Sequence, residues 1–156
     1  MKVKIKRVPK ITEDEPDPVM PHYAKDGDAG LDLTAVRHAK IDGNDVYFTG
    51  LSIEIPKGFM GLIFPRSSIG GKAQTLVNSV GVIDSGYRGE IILKFKPTLF
   101  YDVEGEKIWD EVNTPRYKVG ERVGQLIILP YPQIEFVEGD LSESERGEGG
   151  FGSTNK

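Results

Sequence analysis

The sequence predicts an all-β fold, a compact barrel or sandwich built from many short strands. Apolar and polar residues alternate, as expected for strands with one face in a core, at 3–5, 31–33, 51–55 and 91–95. The 19 glycines and 10 prolines interrupt the chain too often for long helices. Many short strands separated by turn residues are typical of β-barrels and β-sandwiches.

Two continuous apolar runs add further strands to this plan. GLIF (61–64) and LIIL (126–129) are predicted to be strands that are buried on both faces. The segment 67–76 is the one place where a short helix is expected, and its two glycines weaken even that expectation.

Three segments fall outside the strand pattern. Residues 11–23 are acidic and proline-rich, which predicts an irregular loop. The connection over 97–118 is much longer than an ordinary hairpin loop. Residues 142–156 are too polar and glycine-rich to become ordered alone. We therefore expect one β-barrel domain over residues 1–141, with 97–118 as a long inserted connection, and a flexible C-terminal arm at 142–156.

The composition excludes several classes of protein. The formal net charge of -4 gives no electrostatic reason to expect nucleic-acid or membrane binding. The chain has no cysteine, and its two histidines lie near no serine nucleophile pattern. The N-terminus lacks the apolar core of a signal peptide, and no stretch is long enough to span a membrane. An intracellular, soluble and cytoplasmic protein is expected.

One carboxylate has an unusual position. Asp84 follows the apolar residues Val82 and Ile83 in VNSVGVIDSGYRGEI (77–91) and precedes a bend that contains glycine. Desolvation of a carboxylate beside such residues is costly without a partner. A carboxylate held in this way can deprotonate a water molecule, so Asp84 is a candidate general base.

Other segments contain groups that can bind phosphate. FPRSSIGG (64–71) provides Arg66 and two hydroxyl groups before a possible helix N-terminus, which suits an anion, although a simple helix cap explains the serines equally well. Asp32, alone, is typical of the solvent face of an alternating strand. Arg122 and Gln125, alone, are typical surface residues.

The C-terminal arm contains a G-x-G-x-x-G spacing at Gly147, Gly149 and Gly152. A dinucleotide fingerprint must follow a strand and open a helix, and here the chain ends four residues later. Composition favours a mobile terminus, yet the arm combines a cation, a ring and hydroxyl groups that could close over a nucleotide. Together with Asp84 and the hydroxyl-rich loop, this is the inventory of a nucleotide pyrophosphohydrolase.

Taken in order, five segments resemble the five motifs of the trimeric dUTP diphosphatases (dUTPases). They are AGLDL (29–33), PRSS (65–68), NSVGVIDSGYRG (78–89), GERVGQ (120–125) and RGEGGFGST (146–154). The resemblance implies a jelly-roll β-barrel and a homotrimer whose three sites are each built from all three chains. It also implies Mg²⁺-dependent hydrolysis of dUTP to dUMP and pyrophosphate, which keeps uracil out of DNA and supplies dUMP for thymidylate synthesis.

The same resemblance assigns roles to individual residues. Asp84 would activate the water that attacks the α-phosphorus, and Tyr87 would pack under the deoxyribose and exclude a 2′-hydroxyl. Ser67 would donate to the oxygen that bridges the α- and β-phosphates, and Mg²⁺ on the triphosphate would reach Asp32 through water. The uracil would be read by Asn78 and by the backbone around Gly81, Val82, Ile83 and Ile92. Phosphates or their waters would be held by Arg66, Ser68 and Gln125, and the arm would close through Arg146, Phe151, Gly152, Ser153 and Thr154.

Two alternatives remain open from the sequence. A dCTP deaminase, or a bifunctional deaminase and diphosphatase, would share the fold, but the deaminases carry a glutamate where this chain has Lys94 and lack the full glycine-rich arm. A regulatory protein on the same scaffold would use the 97–118 connection to contact a protein partner. A solvated extension without a partner is the simpler interpretation of that connection.

Overall fold

A computed structural model of the protein describes residues 1–98 and 115–150. The described chain is all-β, as predicted, and its helical structure is limited to a 3-10 turn at Ser67–Gly71. The strands are β1 (Lys4–Arg7), β2 (Leu31–Thr34), β3 (Arg37–Ile41), β4 (Asn44–Phe48), β5 (Leu51–Glu54), β6 (Phe59–Phe64), β7 (Gln74–Leu76), β8 (Gly81–Ile83), β9 (Ile92–Pro97) and β10 (Arg122–Pro130). The middle of the long connection and the arm residues Phe151, Gly152, Ser153 and Thr154 lie outside the described residues.

Two four-stranded sheets enclose the core. One has the order β2-β10-β6-β8 and the other β3-β4-β9-β7, while β1 and β5 form a separate pair; every pairing is antiparallel. Buried side chains from both sheets meet in one cluster that includes Leu33, Ile63, Leu93, Phe95 and Leu126. Because both sheets supply this core, the ends of their strands are held in fixed positions relative to one another.

The predicted burial of two strands does not hold for the single chain. In β6, Gly61 and Ile63 are buried but Leu62 and Phe64 are only partly covered. In β10, Leu126 is buried whereas Leu129 is 41% exposed. The apolar residues on the outer faces of these strands are therefore not covered by the described part of their own chain.

Beyond β10, residues 131–141 form no strand with any described segment. The segment nevertheless carries large apolar side chains that are almost fully exposed, with Phe136 at 90% and Leu141 at 95%. In the described part of the chain, no helix is long and apolar enough to cross a membrane.

A buried polar network fixes the residues that follow the long connection. The carboxylate of Asp45, which is fully buried, accepts a hydrogen bond from Gln74 Nε2 at 2.8 Å. Gln74 Nε2 also donates to the hydroxyl of Tyr47 at 3.0 Å, and that hydroxyl donates to the backbone oxygen of Tyr117 at 2.9 Å. Burial raises the pKa of Tyr47 to about 12, so its hydroxyl keeps the proton that it donates.

Both ends of the long connection meet at one residue of the barrel. The N–H of Ala73 donates to the oxygen of Pro115 at 2.8 Å, and the oxygen of Ala73 accepts from the N–H of Thr98 at 2.9 Å. Ala73 lies two residues after the 3-10 turn, so the connection begins and ends beside that turn.

Candidate active site

An apolar pocket of about 190 Å³ opens beside the start of β8. It is lined by residues 76–78, Gly81, residues 92–94 and Ile63. Three of the residues predicted to read a base, Asn78, Gly81 and Ile92, therefore lie together in this pocket. Lys94 also lines it, at the position where a deaminase is expected to carry glutamate.

The pocket requires a glycine at position 81. A Cβ added to Gly81 would lie 3.2 Å from Cβ of Ile63 and 3.4 Å from Nδ2 of Asn78. A side chain would therefore crowd the amide and the β6 wall at the same time. The missing Cβ leaves room for a planar ligand to approach the backbone of β8.

Asp84 begins the turn that follows β8. The turn, residues 84–87, is closed by the N–H of Tyr87, which donates to the oxygen of Asp84 at 3.0 Å. Asp84 is exposed, and no side chain among the described residues hydrogen-bonds to or ion-pairs with its carboxylate. The burial that the sequence suggested is thus absent from the single chain, where Val82 beside it is 59% exposed.

Tyr87 lies beside this turn with a defined orientation. Its hydroxyl donates to the oxygen of Glu90 at 2.9 Å, and the residue remains 40% exposed. Its ring covers Gly89 so closely that a Cβ at that position would overlap the ring. The exposed part of the ring is therefore available to pack against a ligand.

A second group of predicted residues is assembled by strand register. Gln125 of β10 pairs with Asp32 of β2 on one side and with Phe64 of β6 on the other. Directly after Phe64 comes the Arg66 loop, which we define as residues 65–71. Gln125 Nε2 donates to the oxygen of Pro65 in this loop at 3.2 Å. Three motifs that are far apart in the sequence thus meet at one end of β6.

Asp32 holds two arginines at this end. Its Oδ1 accepts from Nε of Arg66 at 2.6 Å, and its Oδ2 accepts from Nη1 of Arg122 at 2.8 Å. The Asp32 side chain is 14% exposed and that of Arg66 25% exposed, so the charge-assisted bond between them is partly shielded from water. Asp32 is therefore more than a solvent-facing residue of an alternating strand, whereas Arg122 is a surface residue that pairs with it.

The serines of the Arg66 loop do not cap a helix. The residue at the N-terminus of the 3-10 turn is Arg66, and no side chain caps the turn there. Ser67 is exposed, and Oγ of Ser68 lies 3.1 Å from the hydroxyl of Tyr117. Of the two interpretations that the sequence left open, a capping role for the serines does not apply, and the hydroxyl of Ser67 is free to meet an anion.

Sequence reasoning missed further residues around this loop. Nζ of Lys72 lies 3.1 Å from the carboxylate of Glu121 and 4.9 Å from the ring centre of Tyr117. Partial burial alone would raise the pKa of Glu121, but bonds from the Lys118 N–H and from Lys72 outweigh it and lower the pKa. No pattern in the sequence marks either residue: Lys72 directly follows the loop, and Tyr117 reaches the loop only through the fold.

Within one chain Asp84 and the Arg66 loop lie at different levels of β6. Ile83 pairs with Gly61, whereas Gln125 pairs with Phe64. Three residues of strand separate Gly61 from Phe64, about 10 Å at the usual rise per residue. Gly81 pairs with Ile63, next to Phe64, so the chain moves away from the Arg66 loop as it runs along β8 to Asp84.

The described residues contain no group of three or more His, Cys, Asp or Glu side chains that could hold a metal ion. Asp32 could reach an ion through water, since both of its oxygens already bind arginines. In the arm, Arg146 is exposed and its Nε donates to the oxygen of Gly149 at 2.9 Å.

Comparisons with known proteins point to one family. The family model for dUTPase matches residues 17–155. The chain is 38% identical to the deoxyuridine 5'-triphosphate nucleotidohydrolase of Clostridium kluyveri, over 99% of this chain and 98% of that protein. It is 39% identical to the protein of the same name from Alcanivorax borkumensis, over 88% of each chain.

Solved structures of dUTPases also resemble this chain. The chain matches a variant of the dUTPase of Staphylococcus bacteriophage 80alpha with a TM-score of 0.74 and 27% identity, over 98% of both chains. Another structure of the 80alpha dUTPase, with dUpNHpp, matches with a TM-score of 0.70 and 27% identity over 97% of both chains.

Proposed function

Because the chain belongs to the dUTPase family and hydrolyses dUTP to dUMP and pyrophosphate, we propose that Asp84 is the general base of this reaction. Its carboxylate is exposed at the end of β8 and has no side-chain partner among the described residues. Such a group is free to take a proton from the water that attacks the α-phosphorus. Asp84 directly follows β8, the edge strand that pairs with β6, so one end of its turn is fixed to the sheet.

The apolar pocket binds uracil, and Tyr87 selects the sugar. Asn78 offers an amide to the edge of the base, while Gly81 allows close approach to the backbone of Val82 and Ile83. Ile92 supplies an apolar wall. The exposed Tyr87 ring packs under the deoxyribose and leaves no room for a 2′-hydroxyl. Lys94 in the pocket wall supports diphosphatase rather than deaminase chemistry, because it stands where the catalytic glutamate would be.

The Arg66 loop binds the triphosphate. Arg66 is already oriented by Asp32, and the exposed hydroxyl of Ser67 donates to the oxygen that becomes the leaving group as charge develops on it. Gln125 and Ser68 hold phosphate oxygens or their waters. Because positioning and charge stabilisation dominate phosphoryl chemistry, a preformed loop of this kind suits the reaction.

Mg²⁺ enters with the triphosphate. Mg²⁺ loses its waters reluctantly, so an ion held by phosphate oxygens and water suits this reaction. Asp32 is the residue that would contact its water shell. When bound, the ion neutralises charge on the phosphates. The arm then closes over the nucleotide, with Arg146 on the phosphates, Phe151 on the uracil ring, and Gly152, Ser153 and Thr154 along the phosphate chain.

The working site is shared between chains of a homotrimer. The observation that carries this proposal is the register of β6, in which Ile83 pairs with Gly61 while Arg66 follows Phe64; this separation, about 10 Å along the strand, is too large for one α-phosphate to contact both Asp84 and Arg66 of a single chain. A neighbouring copy can bring its Asp84 to the Arg66 loop. A closed ring of identical contacts provides such a pairing for every chain.

Exposed apolar surface supports assembly of copies. The segment 131–141 carries Ile134, Phe136, Val137 and Leu141 on a stretch without a partner among the described residues. Leu129 on the outer side of β10 is also exposed. Single chains seldom leave so many large apolar side chains in water, and a contact between copies would cover them.

The chemistry is tested by measuring pyrophosphate release from dUTP, dTTP, dCTP and UTP in the presence of Mg²⁺. We expect release from dUTP to exceed that from each of the other three by a wide margin. Ammonia release from dCTP is the control for deamination. Comparable turnover of all four, or deamination of dCTP, would contradict the proposal.

Complementation tests the shared site. Asp84→Asn with an intact arm and a chain that ends at Glu145 should each be inactive alone. If Asp84 and the arm come from different chains, every mixed trimer has one junction where both are intact, so co-expression should restore activity. Separate affinity tags on the two chains verify that mixed trimers formed. Verified mixed trimers without activity would place both elements in the same chain.

A further inference from the structure

Tyr117 reaches the Arg66 loop from the barrel interior. It is 4% exposed, and its hydroxyl lies 3.1 Å from Oγ of Ser68. Nothing in the dUTPase motifs of this sequence includes Tyr117, which lies three residues before GERVGQ. Its contact with Ser68 links a buried side chain to a residue of the proposed phosphate site.

The position of Tyr117 is set independently of that loop. Its N–H donates to Oε1 of Gln74 at 3.1 Å, and its oxygen accepts from the hydroxyl of Tyr47 at 2.9 Å. Gln74 is in turn held by the fully buried Asp45. The ring packs 5.6 Å from that of Phe95, centre to centre. The hydroxyl of Tyr117 is therefore presented by a closely packed part of the core.

The 3-10 turn has few supports of its own. Ser67–Gly71 contains no fully buried residue, and Ile69 is the one that packs against the core, only partly buried. Two of the five residues are glycines, which lose much conformational freedom when they are ordered. Among the described residues, the bond between Ser68 and Tyr117 is the side-chain hydrogen bond that joins this turn to the body of the barrel.

We propose that Tyr117 is a positioning residue, which fixes Ser68 and so holds the Arg66 loop in the conformation that receives the β- and γ-phosphates. This inference rests on the proposed function, since it assigns the triphosphate to that loop. Tyr117 does not touch the substrate. It restricts the loop before the nucleotide arrives, which lowers the cost of ordering it on binding.

Tyr117→Phe tests this role because it removes only the hydroxyl and keeps the ring. We expect binding of dUpNHpp with Mg²⁺, measured by calorimetry, to weaken about threefold to tenfold, as for the loss of one hydrogen bond. Binding of dUMP should stay at the wild-type level, because dUMP lacks the two phosphates that the loop receives. Ser68→Ala should weaken binding at least as much, because it also removes the proposed phosphate contact of Ser68, and adding Tyr117→Phe to Ser68→Ala should cost little more.

Tyr47→Phe is the matched control. It removes the hydroxyl that donates to the Tyr117 oxygen but keeps the Tyr117 hydroxyl, which the bond from the Tyr117 N–H to Gln74 and the packing on Phe95 still hold beside Ser68. It should lower the Tm while the ratio of dUpNHpp to dUMP affinity stays at the wild-type value. An unchanged ratio in Tyr117→Phe would overturn the proposal, and so would an equal change in Tyr47→Phe, because a general loosening of the core would then explain both.

A nucleotide-free measurement separates this inference from the proposed function. Hydrogen exchange at the amides of Ile69 and Lys72, which close the turn through bonds of 2.9 Å, should accelerate in Tyr117→Phe and not in Tyr47→Phe. Unchanged exchange in Tyr117→Phe would contradict the proposal that Tyr117 holds the turn in place. Failure of the proposed function would appear in the wild type instead, as an absence of pyrophosphate release from dUTP.

Discussion

The apolar pocket and the Arg66 loop prepare for a ligand in different ways. The pocket is shaped by backbone and apolar side chains, and its central feature is a missing side chain at Gly81. The Arg66 loop instead contains charges that are already paired, with Asp32 between Arg66 and Arg122.

This difference follows from what each region is proposed to bind. A flat, nearly neutral base is recognised by shape and by a few hydrogen bonds, so a base pocket needs rigidity and space. A triphosphate carries several negative charges, so its site needs cations whose orientation does not depend on the ligand. Asp84 differs from both regions, because it lies on the pocket side but is proposed to act at the α-phosphate.

The largest expected effect comes from Asp84. Asp84→Asn should reduce kcat by about 10²–10⁴, the range for a lost general base, with little change in the affinity for dUpNHpp. Steady-state kinetics and calorimetry measure the two quantities.

Asp42→Asn is a matched control, because Asp42 is an exposed turn residue with a positive φ that asparagine also accepts. Near-normal kcat in Asp84→Asn would remove Asp84 from the mechanism.

The next largest effect on kcat is expected from Asp32, which pairs with Arg66 and Arg122. Asp32→Ala leaves Arg66 and Arg122 without their carboxylate partner. The net positive charge of the site rises, but the two guanidinium groups lose their fixed orientation. We expect kcat to fall by about 10- to 100-fold while KM for dUTP changes little, because a misplaced cation costs the transition state more than the ground state. An unaltered kcat would show that Asp32 does not orient Arg66 for the reaction.

Asp26→Asn serves as the control, since Asp26 is exposed in the loop before β2. A Mg²⁺ titration of Asp32→Ala separates the two roles of Asp32. A higher Mg²⁺ requirement would indicate a contact through water, whereas an unchanged requirement would leave orientation of the arginines as its role.

Sequence reasoning could name candidate site residues because dUTPase motifs are local, but it could not show how those motifs meet in space. The meeting of Asp32, Gln125 and the Arg66 loop depends on the register of β2, β10 and β6, and alternation alone does not determine register. Tyr117 was missed for a similar reason: it reaches Ser68 through tertiary packing, and no pattern in the sequence marks it.

The fold class was predictable, whereas some strands and their burial were not. The hairpin of β3 and β4 was missed although Asp42 and Gly43, both with positive φ, form its turn and are a known hairpin signal. The strands β7 and β8 have three residues each, too few to show a period. The apolar run at 126–129 was predicted to be buried on both faces, yet its outer face is open in the single chain.

A smaller effect concerns sugar selection on the pocket side. Tyr87→Ala removes the ring beside the proposed sugar position, so the ratio of kcat/KM for dUTP over UTP should fall about tenfold. Tyr87→Phe keeps the ring and loses only the hydrogen bond to the oxygen of Glu90, and it should keep the ratio. Equal ratios in wild type and Tyr87→Ala would assign selectivity to another residue.

The smallest expected effect tests whether sugar selection depends on the exact position of the Tyr87 ring. A Cβ at Gly89 would overlap the ring of Tyr87, so Gly89→Ala should tilt that ring without removing it. We expect the dUTP over UTP ratio to fall about twofold to fivefold, less than in Tyr87→Ala, because the ring is displaced but still present. Gly86→Ala is the control in the same connection between β8 and β9, since a Cβ there meets nothing within 4 Å and the backbone has no positive φ. If Gly86→Ala and Gly89→Ala change the ratio equally, flexibility of this connection rather than ring placement governs sugar selection, and the pocket side would then depend on a restrained backbone, as the Arg66 loop does.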